Sequence, residues 1–139
     1  NVMRCSARQV KAFIEWIQQQ DFYANTTIVL VGDHLTMDPD YLQDVNEDYT
    51  RTIYNCFINS AVDPVAGAEK NRQFGTFDIF PTTLAAMGVE IQGQRLGLGT
   101  NLFCGQKTLT EHYSHEILYE ALQKRSSFYN KTFLGMDED

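Results

Sequence analysis

Very little in this sequence points to a membrane span or a nucleic-acid partner. No stretch of the 139 residues approaches the ~20 consecutive apolar positions that cross a bilayer; the longest clean run is Ile28-Val29-Leu30-Val31. No signal-peptide pattern is visible either. Basic residues are scarce: 11 Lys and Arg stand against 18 Asp and Glu, a net charge of -7. Phosphate-backbone affinity needs a basic face, so the charge argues against a general nucleic-acid binder. Adsorption to an anionic lipid surface through this segment is equally disfavoured. The three cysteines, Cys5, Cys56 and Cys104, are distant and odd in number, hence no self-contained disulfide framework, and no CxxC or Cys/His cluster indicates zinc. What remains is ordinary globular composition, 43% hydrophobic and 21% charged, about one domain in length. Together with a helix-like pattern that starts directly after Asn1, the dispersed cysteines make the chain read as a piece of a larger domain.

The periodicity alternates between helix and strand. Ser6 is positioned to cap a helix whose apolar residues Val10, Phe13, Ile14 and Ile17 form one stripe. Thr26 to Val31 reads as a strand; its continuous apolar character fits burial on both faces beneath helices. Gly32 stops it, and Asp33-His34 fall just beyond its C-terminal end. A lysine- and arginine-free acidic stretch follows, with Asp38, Asp40, Asp44, Glu47 and Asp48, then a second strand over 51–59. Thr76 or Asp78 is expected to cap a second helix with Pro81 in its first turn, Gly88 as its stop and Ile79, Leu84 and Met87 facing the core. A glycine-dense stretch over 93–105 precedes a last helix over about 110–125, with Ile117, Leu118, Ala121 and Leu122 as its apolar face. Residues from about 126 to 139 read as a polar and acidic tail. This order predicts an α/β layer fold. Two or three strands are too few for its full sheet, so the partner strands belong elsewhere.

Several local patterns carry candidate chemistry. Open α/β sheets bind ligands beyond the carboxyl ends of their strands, and Asp33 with His34 offers one oxygen and one nitrogen there to a divalent ion. The stretch from Asp38 to Asp48 lacks the glycine and terminal glutamate of an EF-hand calcium loop and reads as a solvated charge run. His112, His115 and Glu116 sit at helical metal-pair spacing, but Tyr119 occupies the place of the second histidine of HExxH; a helix start with a glutamate at its positive end accounts for them. Gly97-Leu-Gly99-Thr100-Asn101 is neither GxGxxG nor a P-loop, so its glycines point to a tight turn and close packing. No serine lies in a GxSxG elbow.

Three segments in order are more specific than any one: Thr26-Thr-Ile-Val-Leu-Val-Gly-Asp33-His34, then Thr76-Phe-Asp-Ile-Phe-Pro-Thr-Thr-Leu-Ala-Ala-Met-Gly88, then Leu96-Gly-Leu-Gly-Thr-Asn-Leu-Phe103. The array, over roughly residues 5 to 125, resembles the C-terminal part of the sulfatase-like catalytic domain of the alkaline phosphatase superfamily. Within it, the array is most similar to the membrane phosphoglycerol transferases, MdoB-type enzymes acting on periplasmic glucans and lipoteichoic acid synthases. The resemblance implies one portion of an α/β/α sandwich in which Asp33 and His34 supply two ligands to a catalytic divalent ion, commonly Mn2+, with Zn2+ or Mg2+ as alternatives. It implies that the nucleophilic threonine and an acidic ligand lie upstream, so that no catalytic nucleophile is assigned here and the segment alone is inactive. It further implies a phosphatidylglycerol donor, a glycan or polymer acceptor, a phosphothreonine intermediate and an extracytoplasmic site on a bacterial membrane reached through upstream segments. Leu35-Thr36-Met37 differs from the Gly-Glu-Ser of phosphoethanolamine transferases and from the DHG of ordinary sulfatases. A sulfatase or other phosphoesterase of the superfamily, and a non-catalytic binding module, are the alternative readings.

Overall fold

The structure is a computed structural model that describes residues 2–46 and 48–136. Glu47 of the acidic stretch and the terminal Asp137, Glu138 and Asp139 lie outside the described residues. The chain is mixed α/β, and its described residues divide into two compact units: those up to Asp63 with Thr82–Gln92, and Pro64–Pro81 with those from Gly93 on.

The first unit opens with α1, Val2–Gln18. The helix starts before Ser6, so Ser6 lies in its interior and is not the expected cap. The stripe Val10, Phe13, Ile14 and Ile17 forms as its spacing requires, but it is not buried: Ile14 and Ile17 are half-covered, whereas Phe13 is 61% exposed and stacks on Trp16. Strand β1, Ile28–Val31, pairs antiparallel with β2, Asn55–Ile58, with Leu30 opposite Cys56 and Val31 opposite Asn55. The sheet thus has two strands, and β1 is half-exposed instead of sandwiched between helices. Between the strands, Asp38 caps the one-turn helix α2, Pro39–Leu42, by accepting from the N–H groups of Asp40 and Tyr41.

Such a short ladder needs ties, and side chains supply them. Asn59, at a φ of +56° that asparagine tolerates better than most residues, donates its amide to the carbonyls of Tyr23 and Thr26. Thr27 Oγ1 donates to the carbonyl of Asn59 at 3.1 Å, with that of Ala86 3.3 Å away. Ala86 ends α3, Ile79–Ala86, which closes as expected at Gly88 with φ +83°. Pro81 does sit in its first turn, following a 3-10 turn over Thr76–Asp78. The buried residues here are Ala85, Ala86, Thr82 and Ile91; Met87 is 60% exposed and does not face the core.

In the second unit the two-residue strands β3, Arg95–Leu96, and β4, Gly99–Thr100, form a small hairpin. Asp78 is fully buried and accepts from the backbone N–H of Thr100 at 2.7 Å and of Gly75 at 2.8 Å. A Cβ on Gly99 would land on the carbonyl oxygen of Phe77 and 2.9 Å from Pro81 Cγ, which is why this position is glycine. Gly97, at φ +57°, makes the turn itself. The glycine-dense stretch is therefore a packing turn.

Arg72 ties the rest of this unit together. Its guanidinium grips both carboxylate oxygens of Glu111, at 2.6 and 2.9 Å, and donates to the carbonyls of Leu102, Cys104 and Gln106. Glu111 also closes a capping box with Thr108 that starts α4, Leu109–His112. The expected single helix over 110–125 is broken at Tyr113, whose extended backbone lets Ser114 cap a separate helix, α5, His115–Leu122. Of its anticipated apolar face, Leu118 is half-buried and Ile117 and Leu122 are exposed. Residues 127–134, anticipated as tail, form α6, Ser127–Leu134, on which Tyr129 and Phe133 are in ring contact.

Two outcomes follow for the second unit. Gly99→Ala should destabilise it by about 2 kcal/mol, since a methyl group forced against backbone has no soft neighbour to displace; chemical denaturation followed by circular dichroism reads this. The Arg72 contact, first among causes, holds Glu111 down to about 2 from its ordinary 4.5. That stabilisation is complete above pH 4.5 and is lost as pH falls toward 2. Burial of Asp78 raises its pKa, so its protonation works in the opposite direction and softens the loss. Glu111→Gln should therefore cost about 2 kcal/mol at neutral pH by leaving the half-buried Arg72 guanidinium without its counter-charge, and it should remove this pair's share of the acid-dependent fall in stability.

Candidate functional site

The loop that carries Asp33 and His34 is fixed at both ends by backbone chemistry. At its start, the Gly32 N–H extends the β1–β2 ladder by bonding the Tyr54 carbonyl at 2.9 Å. A Cβ on Gly32 would stand 3.2 Å from Ile53 Cβ, so the absence of a side chain lets the strand end run close to its neighbour. At its far end, the Asp38 N–H bonds Thr36 Oγ1, and Arg51 Nη1 donates to the Thr36 carbonyl at 3.1 Å. Arg51 thus braces this loop, whereas Arg95 belongs to the second unit, where it donates to the Lys107 carbonyl.

Within the loop, Asp33 Oδ1 accepts the His34 N–H at 3.0 Å. The His34 ring sets Nδ1 2.7 Å from the Leu35 carbonyl oxygen and turns Nε2 toward Asp33 Oδ2, 3.5 Å away. A carbonyl only accepts, so Nδ1 carries a proton, and in the neutral ring Nε2 is the nitrogen with the lone pair. Metal-binding histidines use this tautomer arrangement, with the second nitrogen's N–H spent on a carbonyl. The donor pair also fits an ion in spacing: two bonds of about 2.1 Å at a tetrahedral angle separate their donors by about 3.4 Å. Both side chains are open to solvent, Asp33 at 88% and His34 at 58%. They number only two, and no group of three or more His, Cys, Asp or Glu side chains able to hold a metal occurs among the described residues. Asp33 and His34 thus offer two donor atoms 3.5 Å apart, which is fewer than a divalent ion needs.

The remaining candidates separate from this site. Asp38 is spent on capping α2, and Asp40 within that helix accepts from Gln43; both are exposed. His112 ends α4 with its ring edge on Tyr113, while His115 begins α5 stacked on Tyr119, so the break at Tyr113 removes their shared helical face. Glu116, in the first turn of α5, is held below the usual carboxylate range first by its own backbone N–H and then by the Ser114 hydroxyl. Each of the two short helices thus carries a glutamate in its first turn, Glu111 in α4 and Glu116 in α5, where one helix start was expected. Cys5, Cys56 and Cys104 are free thiols.

One participant was not visible in the sequence, and neither was the partner of another, Arg51. The Leu35 carbonyl orients His34, and any residue type supplies a carbonyl. Arg51 lies 15 residues from its partner across an aperiodic stretch. No family model, no curated protein and no solved structure matches this chain. No described helix is long and apolar enough to cross a membrane.

Arg51→Met should leave the overall melting temperature nearly unchanged, because an exposed side-chain bond contributes about 1 kcal/mol or less. Amide hydrogen exchange over residues 34–38 should nevertheless become faster in that variant.

Proposed function

We propose that this chain is the C-terminal part of the sulfatase-like catalytic domain of a membrane phosphoglycerol transferase, with Asp33 and His34 as two ligands of its divalent ion. The reading is supported by one geometric observation: at the C-terminal end of β1, the His34 ring is set by the Leu35 carbonyl so that its Nε2 lies 3.5 Å from Asp33 Oδ2. When bound there, a divalent ion, Mn2+ in this proposal, lowers the pKa of a threonine hydroxyl and neutralises charge on a transferring phosphoryl group. Asp33 contributes the anionic oxygen of the pair. His34 contributes a neutral nitrogen, which binds only while deprotonated. The Leu35 carbonyl holds the Nδ1 proton and so fixes which nitrogen is offered. Arg51, through Thr36, keeps the loop from collapsing away from the strand end.

The threonine nucleophile and the remaining ligands belong to the upstream part of the polypeptide, so the 139-residue segment has no transferase activity alone. The complete enzyme takes glycerophosphate from phosphatidylglycerol, releases diacylglycerol, and passes the group from the threonine to a hydroxyl of a cell-envelope glycan or polymer. It works on the extracytoplasmic face of a bacterial membrane, anchored by segments other than this one.

The test is turnover of phosphatidylglycerol by the native gene product purified with Mn2+. Replacing His34→Ala should lower activity by at least about a hundredfold, given that even residues behind the ligands are worth ten- to a hundredfold, with the melting temperature of the metal-free protein unchanged. A fully active His34→Ala protein would overturn the assignment. Release of sulfate from an aryl sulfate would move it to a sulfatase, and a product that neither turns over these substrates nor shifts its melting temperature with Mn2+ would make it a binding module.

A further inference from the structure

Arg51 is the only Lys or Arg between Lys11 and Lys70, a span that carries Asp33, Asp38, Asp40, Asp44, Glu47 and Asp48. This lone cation stands at the candidate site. The β1–β2 register pairs Ile28 with Ile58 and Val31 with Asn55, and the bond from the Gly32 N–H carries it on to Tyr54. Followed three residues further, the register brings Arg51 level with Leu35. Two successive carbonyls of the loop are then taken by side chains, that of Leu35 by His34 Nδ1 and that of Thr36 by Arg51 Nη1.

A guanidinium has five N–H donors, and Arg51 spends one of them on Thr36. Its Nε and Nη2 edge makes no bond among the described residues, and none of their aspartates lies within ion-pair distance of it. The same chain shows what such an edge takes. Arg72 likewise spends Nη1 on carbonyls, those of Leu102 and Cys104, and closes Nε and Nη2 on the two oxygens of Glu111 at 2.6 and 2.9 Å. Arg51 divides its donors in the same way, with no carboxylate on the second edge. Two parallel N–H groups fit a phosphoryl group as they fit a carboxylate.

We propose that the Nε and Nη2 edge of Arg51 binds two oxygens of the transferring phosphoryl group, holding it at the loop that carries Asp33 and His34. The proposal deepens the transferase reading and rests on it for the identity of the anion. Charge agrees with it: Asp33 repels a phosphoryl group, so attraction has to come from a cation, and Arg51 is the one that this span contains.

Titration calorimetry of the native gene product with glycerol phosphate in the presence of Mn2+ tests this, alongside Mn2+ affinity and amide exchange over residues 34–38. Arg51→Lys keeps a positive charge and a donor for the Thr36 carbonyl but has no planar fork. It should leave Mn2+ affinity and loop exchange nearly unchanged while weakening glycerol phosphate binding by about tenfold, the worth of one hydrogen bond to a charged group. Arg51→Met should weaken that binding by about a hundredfold, well beyond any fall in its Mn2+ affinity. Parent-like affinity for glycerol phosphate in either variant would overturn the inference. A fall that only matches the fall in Mn2+ affinity would do the same, because Arg51 would then act through the loop alone, and so would a parent protein that does not bind glycerol phosphate. Binding requires no turnover. The expected losses in a product that leaves phosphatidylglycerol intact would therefore remove the transferase reading alone, and undiminished binding by the Arg51→Met form of an active product would remove only this role of Arg51.

Discussion

A two-stranded ladder of four residues per strand is marginal in water, and in this protein such a ladder carries the loop of interest. Everything in the first unit is arranged around that weakness. The strands are pinned where they are widest apart in sequence, by Asn59 reaching the carbonyls of Tyr23 and Thr26 and by Thr27 reaching that of Asn59. Gly32 adds one more backbone bond where the chain leaves the sheet. Asp33 and His34 therefore emerge from a fixed point even though neither face of the sheet is sealed. Their own geometry is set locally, by an aspartate that accepts the next N–H and a carbonyl that orients the ring.

The second unit solves a different problem. It holds long irregular segments with little apolar burial, Ala68 and Leu102 being the buried hydrophobic residues there. Backbone carbonyls that no helix or strand satisfies must find donors, and one guanidinium serves three of them while paired with a carboxylate. Arginine is suited to this because its planar fork of donors cannot be deprotonated. Asp78 plays the converse part, a buried acceptor for two backbone N–H groups. Polar side chains thus take over much of the organising role that a larger core would have.

What the sequence made legible were the features whose causes are local. The 3.6-residue stripe of α1, the β-branched run of β1, the Pro81 entry and Gly88 exit of α3, and the packing role of the glycines at 97 and 99 all follow from neighbours a few residues away. The antiparallel direction of β2 did not, because it depends on a connection of more than 20 residues with no periodicity of its own. The break between α4 and α5 had a signal that apolar spacing concealed: Thr108-x-x-Glu111 is the spacing of a capping box, and Ser114 is a second cap six residues later. The Arg72–Glu111 pair spans 39 positions and leaves no trace in either neighbourhood. At the candidate site, Asp33 and His34 were readable as donor types at a strand end; the proton on Nδ1 was not, since it depends on where a carbonyl points.

The Asn59 contact has a chemical corollary. Its amide nitrogen supplies both of the bonds to Tyr23 and Thr26, and the next residue is Ser60. Deamidation would leave the side chain nearly the same shape while turning two donations into a carboxylate facing two carbonyl oxygens. One hydrolysed amide, invisible to size and almost invisible to mass, would then untie the end of β2 from the residues that lead into β1. A change at this single atom would thus act on the sheet without altering any apolar contact.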